Sequence, residues 1–495
     1  MKIKLDYMYV FMALAALGCE SLPSVGPDYK ELELNVSEAA LPDAGFPTTN
    51  LTATFEYKAA LSNADDRVVI TNDNLSKWWK GFNDPVLESL VDGAVSNNIS
   101  FLMAQRRLER ANWELLGSYA AFLPQFSVGG GWHRYWNKEK TRSGRNQYNV
   151  RNATLDGDWE IDIFGGNRRQ AEASFAAAEA AGWTVADAWV ELTTKIGREY
   201  INLRTAQELI SVARTNLLLQ SETYDILKSR LESGIGDELA VNQCAYIVEQ
   251  TRARLPELLV AEEKYKNAIA ILAGEYPGSL NELLEPFDSR RDWLIQPQKV
   301  SELKLDMIRS RPDVKAAERE LAAQVARIGV AKADWFPKFY ISGSVGFENK
   351  KKSRLFQRES FIASLGPAVS WPIFQGGAIH ANIKATEARA KELALNYELV
   401  IQSAYSEVRD AYAAYTQEYH RYQALRGAVK AATDAVSISN DLYKNGLKDF
   451  NNVLDAQRSR LQLEEQLAVS RGQITLSLID LYKALGGGLA VESDK

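Results

Sequence analysis

The feature that most constrains this chain is a seven-residue spacing of apolar side chains that occurs in two long runs. The first run is Trp189, Ile196, Leu203, Ile210, Leu217, Tyr224 and Leu231, and the second is Ile401, Val408, Tyr415, Tyr422, Val429, Val436 and Tyr443. A heptad sustained over this length predicts long, left-handed, coiled-coil-like helices. No proline occurs between Pro124 and Pro256, so residues 165–231 are predicted to form one helix. Its length of roughly 100 Å, at ~1.5 Å per residue, is typical of a tube or rod.

The two heptad runs belong to a longer internal duplication. Trp189 and Ile401 lie 212 residues apart, and the same separation relates Trp159 to Trp371 and Gly234 to Gly446. Two copies of one unit of about 212 residues therefore account for nearly all of the chain after its N-terminal segment.

Before each heptad run, the apolar spacing changes from seven residues to two. Four such segments are predicted to be β-strands, at about residues 123–137, 148–163, 337–351 and 360–374. In the second segment Leu155 and Trp159 alternate with Asp156 and Asp158. Segments of about this length with one apolar and one polar face are the pattern of transmembrane β-barrel strands. Four strands cannot close a barrel, so several copies of the chain are expected to share one.

The N-terminus has the pattern of an export signal that ends at a cysteine. In "MKIKLDYMYVFMALAALGCES" an apolar run follows Lys2 and Lys4 and stops at Cys19, too short to serve as a stable membrane anchor. A cysteine after a small residue at this place resembles the lipobox of bacterial lipoproteins, which predicts acylation of Cys19; an ordinary signal with a chance cysteine is the alternative. Cys244, inside a helical pattern, is predicted to be a core residue.

Seven motifs in order across both copies resemble the TolC-type outer-membrane efflux channels, in particular their lipoprotein branch. They are "VGPDY" at Val25, "WWKGFNDPVLESLV" at Trp78, "WEIDIFGGNRR" at Trp159, "RSRPDVKAAE" at Arg309, "WPIFQGG" at Trp371, "NVLDAQR" at Asn452 and "LYKALGGG" at Leu481. The resemblance implies a mainly α-helical homotrimer. Its 12-stranded transmembrane β-barrel, with four strands from each chain, continues as a long periplasmic α-helical barrel.

The same resemblance implies a location and partners. The channel would sit in the bacterial outer membrane, held there partly through the acylated Cys19, and would extend into the periplasm. It would pass drugs or other small molecules onward from a periplasmic membrane-fusion adaptor and an inner-membrane pump of the RND type. No cofactor or metal is implied.

These observations divide the chain into five parts. Residues 1–18 are the predicted signal peptide, 19–75 a lipidated and extended N-terminal segment, 76–285 the first repeat, 286–488 the second repeat and 489–495 a tail.

The turns between the long helices are the expected gate. Gly234 and Gly446 fit left-handed helix ends, and Asp449 is expected to cap the helix that follows Gly446. By resemblance to the family, Asp455 matches a gate aspartate, Asn452 a second acidic position and Asn451 an apolar constriction. Tyr443 and Lys448 match positions whose links hold inner helices in closed channels. The alternative is that these residues only cap and solvate a helical hairpin.

Acidic residues on the second strand are candidates for the channel wall. Asp156 and Asp158, together with Glu160 and Asp162, share one strand phase, and three chains would line a lumen with acid that favours cations. For Glu160 and Asp162, pairing with Arg168 and Arg169 at the foot of the strand is an equally good interpretation. Trp132, Tyr135, Trp136, Trp159 and Trp371 are expected to form aromatic girdles or to pack near the barrel rim.

Other classes of function have little support in the sequence. The net charge of -6 lacks the basic footprint of a nucleic-acid-binding protein. No phosphate-binding or zinc-protease motif occurs, and His133, His380 and His420 lack a metal-ligand spacing, so no enzymatic activity is expected. A coiled-coil adaptor or structural lipoprotein without a pore would explain the heptads, but not four alternating strands in repeat register.

Overall fold

The computed structural model describes residues 24–30, 77–141, 144–285 and 308–487, with the backbone alone for residues 137–141 and 144–147. The predicted signal peptide, Cys19, most of the extended N-terminal segment and the predicted tail lie outside these described residues.

The described chain is mainly helical, with one four-stranded sheet, as the sequence predicts. The helices are α1 (Pro85–Asn97), α2 (Ile99–Ala120), α3 (Gly166–Glu232), α4 (Glu238–Leu272), α5 (Asn281–Leu284), α6 (Pro312–Ala333), α7 (Ala378–Lys444) and α8 (Phe450–Ala484). A short 3-10 helix, Trp78–Phe82, precedes α1.

The long helices occur as matched pairs. Both α3 and α7 contain 67 residues, and both α4 and α8 contain 35. The second member of each pair begins 212 residues after the first. The single helix predicted for residues 165–231 is confirmed as α3, and every residue of the two heptad runs is buried or half-buried.

The sheet is an antiparallel meander in the order β1-β2-β3-β4. Its strands are β1 (Gln125–Thr141), β2 (Gly144–Ile161), β3 (Lys338–Asn349) and β4 (Phe361–Ser370). The paired ends of β1 and β2 extend beyond the predicted limits near residues 137 and 148. These ends consist of polar residues without alternation, so backbone pairing continues where the sequence pattern gives no signal.

The register of the strands separates an apolar face from a polar face. Val128 pairs with Leu155, Leu155 with Val345 and Val345 with Ala363, which puts all four on one face. That face is open in the single chain, since Val128 is 85% exposed and Leu365 is 81% exposed. Asp156 pairs with Ser344 and Asp158 with Ser342 on the opposite face.

The chain divides into two compact units. Among the described residues, one contains 24–30, 106–141, 144–182 and 316–398, and therefore the whole sheet; the other contains 77–105, 183–285, 308–315 and 399–487, and therefore most of the helical hairpins.

An aromatic cluster forms part of the core of the helical unit and explains the "WWKGF" motif. The ring of Trp78 stacks on Tyr482 at 5.9 Å, and Trp79 meets the heptad residue Trp189 edge to face at 6.0 Å. Asp84 then caps α1, accepting a hydrogen bond from the Val86 amide at 2.9 Å and another from the Tyr200 hydroxyl at 2.6 Å.

Candidate functional site

The tip of each long helical hairpin turns on a glycine with left-handed backbone. Gly446 has a φ of 69°, its amide donates to the Tyr443 carbonyl at 2.9 Å, and the next amide, of Leu447, donates to the Leu442 carbonyl at 2.9 Å. This pair of bonds is the Schellman motif, in which glycine avoids the steric cost of an L side chain. Gly234, with a φ of 75°, makes the same pair of bonds. Both left-handed glycines agree with the sequence-based expectation.

The helices after these turns begin differently from one another. At α4, the Asp237 carboxylate accepts a hydrogen bond from the Leu239 amide at 3.0 Å. At α8, Asp449 holds the N-cap position, but its carboxylate accepts no capping hydrogen bond within the described structure, so the prediction that Asp449 caps α8 by its side chain is wrong. The backbone amide and side-chain amide of Asn452 instead both donate to the Asp449 carbonyl, each at 3.1 Å.

Three of the five predicted gate residues share the exposed side of the first turns of α8. Asn451, Asn452 and Asp455 are exposed, whereas Val453 and Leu454 between them are buried. The Asp455 carboxylate is 78% exposed and lies 3.9 Å from the Arg458 guanidinium. At that distance and exposure the ion pair contributes little.

The other two predicted gate residues lie apart from those three. Lys448 is exposed on the turn itself, while Tyr443 is half-buried near the end of α7. The Tyr443 ring meets Phe450 of α8 at 5.2 Å, and the Arg230 guanidinium of α3 lies over the same ring at 5.4 Å. Tyr443 therefore joins both hairpins of one chain through a cation–π contact and an aromatic contact.

A compact apolar cluster supports the tips from within. Its buried members are Leu227, Ala240, Val241, Cys244, Ile247, Phe450, Val453 and Leu454. Cys244 is 1% exposed, and burial raises the pKa of its thiol to about 11, so it remains a protonated core residue, as predicted.

Two arginines at the tips were not identified from the sequence. Arg230 lies over Tyr443, and Arg458 lies over the ring of Tyr246 at 5.1 Å. Both contacts join residues more than 200 positions apart, so neither produces a local pattern. The one signal in the sequence is that Tyr246 and Arg458 are separated by 212 residues, the repeat distance.

The predicted wall acids lie on the polar face of the sheet and accept hydrogen bonds across strands. Ser344 donates to Asp156 and Ser342 donates to Asp158, both at 2.6 Å, and Thr154 donates to the second oxygen of Asp156 at 2.9 Å. These bonds hold the two carboxylates in place along β2.

The lower pair of acids behaves differently. Asp162 is buried, lies 3.4 Å from the Arg168 guanidinium and accepts a hydrogen bond from the Arg168 backbone amide at 2.9 Å. Asp162 therefore pairs with Arg168 at the end of β2, which is the second of the two interpretations drawn from the sequence. Glu160 lies opposite Tyr340 in the sheet register.

Arg169 instead binds the "VGPDY" segment. Its guanidinium contacts Asp28 at 2.6 Å and Glu172 at 2.7 Å, and it also donates to the carbonyls of Val25 and Gly26. Gly26 has a φ of 109°, and a Cβ there would lie 2.5 Å from the Cα of Gly329. This close approach explains the glycine in the motif.

Exposed tryptophans flank the ends of the sheet. The indole of Trp159 donates to the Phe122 carbonyl at 2.9 Å, and the indole of Trp371, 212 residues later, donates to the Trp335 carbonyl at 3.1 Å. Trp132 and Trp136 of β1 are also exposed. Amphipathic rings with an anchored N–H fit an interfacial position, and the same bonds tie them to the turns before the strands.

The described residues contain neither a membrane-spanning helix nor a metal cluster. None of the helices in residues 24–30, 77–141, 144–285 and 308–487 is both long and apolar enough to cross a membrane. Within this part of the chain, no group of three or more His, Cys, Asp or Glu side chains is arranged to hold a metal ion.

Comparison with known proteins identifies the family. The profile of the family described as "Outer membrane efflux protein" matches residues 90–275 and 306–487. Nodulation protein T of Rhizobium leguminosarum bv. trifolii is 28% identical over 486 residues, 97% of each chain, and outer membrane protein OprJ of Pseudomonas aeruginosa is 29% identical over 83% of this chain and 86% of that protein. The solved structure of the outer-membrane channel OprN superposes with a TM-score of 0.81 at 29% identity, covering 94% of this chain and 99% of that one. The chain belongs to the outer membrane efflux protein family and is an outer-membrane efflux channel.

Proposed function

We propose that three copies of this chain form the exit duct of a tripartite efflux assembly, with a 12-stranded β-barrel in the outer membrane and a helical barrel in the periplasm. The observation that carries the proposal is the four-stranded sheet, whose apolar face is exposed and whose outer edges, on β1 and β4, have no strand partner among the described residues. Unpaired strand edges are too costly in lipid, so β1 of one copy pairs with β4 of the next.

The helices support a duct built from two repeats in each chain. The pairs α3/α7 and α4/α8 are equal in length and separated by one constant distance in sequence. Six hairpins of this kind, two from each of three chains, suit a closed helical wall.

The gate lies at the hairpin tips in this proposal. Asn451, Asn452 and Asp455 form an exposed polar group on α8, and three copies of Asp455 near an axis would attract cations. Tyr443 and Lys448 hold the tips in the closed arrangement. Further along the duct, Asp156 and Asp158 line the barrel lumen.

Anchoring and partners follow from the same proposal. Acylation of Cys19 buries a hydrocarbon chain in the outer membrane, which contributes ~0.8 kcal/mol per methylene. This attachment supplements the one that the β-barrel provides. A periplasmic adaptor meets the hairpin tips, and an inner-membrane pump supplies the small molecules. A rod or adaptor without a pore would leave the exposed apolar sheet face without a partner.

The experiment is conductance of the purified, detergent-solubilised protein in a planar bilayer under a salt gradient. We expect a small conductance whose reversal potential indicates a preference for cations. A folded trimer that conducts no ions under these conditions, and still none after Asn451, Asn452 and Asp455 are changed to alanine, would contradict the proposal.

A further inference from the structure

The two faces of the sheet carry charges of opposite sign. Among the strand residues whose side chains the structure describes, every acidic one lies on the polar face. They are Asp156, Asp158, Glu160 and Glu348. On the apolar face the same strand residues include two cations, since Arg151 pairs directly with Trp132 and Arg134 lies two residues beyond Trp132 along β1. A face that is otherwise uncharged is therefore cationic at one end.

Both arginines lie at the end of the sheet that is remote from the long helices. Arg151 precedes Trp159 by eight residues along β2, which corresponds to about 27 Å at ~3.4 Å per residue. With a strand tilt of roughly 35–45°, this separation gives a height of about 20 Å, close to the ~25 Å apolar band of a transmembrane barrel. In the proposed duct, Trp159 is at the periplasmic boundary of the membrane and the two arginines are at its outer boundary.

Aromatic rings position both guanidinium groups at this boundary. The Arg151 guanidinium lies 6.0 Å from the centre of the Trp132 ring, and the Arg134 guanidinium lies 5.7 Å from that of Trp136. Arg151 also donates a hydrogen bond to the Lys350 carbonyl at 3.1 Å. A cation–π contact uses the face of the guanidinium, whereas its five N–H donors point outward from its edge. These contacts therefore orient the arginines without consuming their capacity to bind an anion.

The loop between β3 and β4 brings further cations to the same side of the sheet. Residues 351–358, here called the basic loop, contain four basic side chains and no acidic one, and Glu359 follows them. The basic members are Lys351, Lys352, Arg354 and Arg358, all exposed. Phe356 of the loop is 74% exposed and packs edge to face on Phe347 at 5.6 Å, and Phe347 lies on the apolar face. Phe356 thus draws the basic loop toward the lipid-facing side.

We propose that Arg134, Arg151 and the basic loop bind the phosphate groups of a glycolipid in the outer leaflet of the outer membrane. The inference rests on the proposed barrel, which places this end of the sheet at the outer surface. Charge complementarity supports it, because cations collect at one end of a lipid-facing surface while the acidic side chains are confined to the other face.

The number of cations selects among anionic lipids. Guanidinium groups bind phosphate oxygens in pairs, and lysine ammonium groups add point charges beside them. Two arginines on the sheet and four basic side chains in the loop exceed what one phosphodiester group can satisfy. The site therefore fits a headgroup with two phosphates, such as bisphosphorylated lipid A, better than a phospholipid with one.

The test is binding of lipid A to the purified, delipidated protein in detergent, measured by native mass spectrometry as lipid molecules bound per trimer across a titration. The main variant carries Arg134→Gln and Arg151→Gln. Lys350→Gln is the matched control, because the Lys350 ammonium belongs to the same end of the sheet but lies 4.5 Å from the ring of Tyr148, on the polar face. Conductance in a planar bilayer shows whether each variant forms a channel.

We expect the double arginine variant to bind lipid A about ten-fold more weakly, since charge-assisted contacts to phosphate are lost. Lys350→Gln should bind as the native protein does, and Arg134→Lys with Arg151→Lys should recover part of the loss because the charges return. Unchanged affinity in the double glutamine variant, in a protein that conducts ions, would overturn the site while leaving the channel intact.

A second comparison uses the native protein alone, and so decides the matter even if the double variant fails to form trimers. Removing one phosphate from lipid A, or raising the salt concentration, should weaken binding. Equal affinity for phosphatidylglycerol at the same phosphate concentration would overturn the assignment to a glycolipid. A native protein that neither forms trimers nor conducts ions would contradict the channel itself.

Discussion

The first hairpin (α3 and α4) and the second hairpin (α7 and α8) share backbone geometry but differ in chemistry at their tips. Gly234 and Gly446 make the same turn with the same hydrogen bonds. The positions of Asn451, Asn452 and Asp455 in the second tip are held by Leu239, Ala240 and Gln243 in the first. Turn geometry is therefore a property of the repeat, and the exposed polar group is an addition to one copy only. If this polar group forms the gate, changes in the second tip should alter conductance more than matched changes in the first tip.

The largest difference between the tips should come from Phe450. It is buried in the tip cluster against Tyr443, whereas its counterpart Glu238 is exposed at the start of α4. Removing a buried phenylalanine ring typically costs about 3–5 kcal/mol. We expect Phe450→Ala to speed amide hydrogen exchange at the ends of α7 and α8 strongly, and Glu238→Ala to leave exchange nearly unchanged. Equal effects would mean that the cluster does not hold the second tip.

The two long helices α3 and α7 are also expected to respond differently to pH. Burial, together with the nearby carboxylates of Asp313 and Glu191, raises the pKa of Asp187 from 3.8 to about 6. The folded state favours the protonated acid, so the stability linked to this group is present at low pH and lost as the pH rises through about 6.

Asp187→Asn should therefore stabilise the protein at pH 8 by about 1–2 kcal/mol, allowing for the partial exposure of the group, and have little effect at pH 4. Thermal unfolding at both pH values measures this. Leu399→Asn, at the exposed counterpart in α7, should show no such pH dependence. An Asp187→Asn effect that is the same at both pH values would contradict the role of burial.

A smaller and equal effect is expected at the two turn glycines. Gly234→Ala and Gly446→Ala should each destabilise their tip by about 1–2 kcal/mol, since an L residue resists left-handed backbone. Gly427→Ala, within α7 and with open space around its Cα, should instead be neutral or stabilising by up to about 1 kcal/mol. Hydrogen exchange at the tips measures the first two variants, and exchange of the α7 amides around residue 427 measures the third. A large inequality between the two tip variants would show that the turns are not equivalent.

The smallest expected difference concerns the caps. Asp237→Ala removes a capping bond to Leu239 and should cost about 1 kcal/mol in the first turn of α4. Asp449→Ala removes no such bond and should cost less. Exchange rates of the amides in the first turns of α4 and α8 measure this. A larger effect at Asp449 would contradict the observed geometry.

The two hairpins also indicate how much of the structure is predictable from sequence. The spacing of apolar residues was sufficient to predict that α3 is one helix and that the sheet has an apolar and a polar face. It was sufficient because buried positions recur at a regular interval along each element. The left-handed glycines followed from local backbone sterics. The side-chain cap at Asp449 was predicted wrongly, since the backbone amide of Asn452 donates to the Asp449 carbonyl and not to its carboxylate. Contacts such as Arg230 with Tyr443 depend on how two hairpins meet, which no local pattern records.

The most direct test of a gate in the second tip is single-channel conductance of matched tip variants in planar bilayers. One variant carries Asn451→Ala, Asn452→Ala and Asp455→Ala in the second tip, and its control carries Leu239→Ala and Gln243→Ala at the corresponding positions in the first. We predict a sharp rise in conductance and a loss of cation preference in the second-tip variant alone. Equal, large conductance in the native protein and both variants would keep the pore but contradict a gate at these residues.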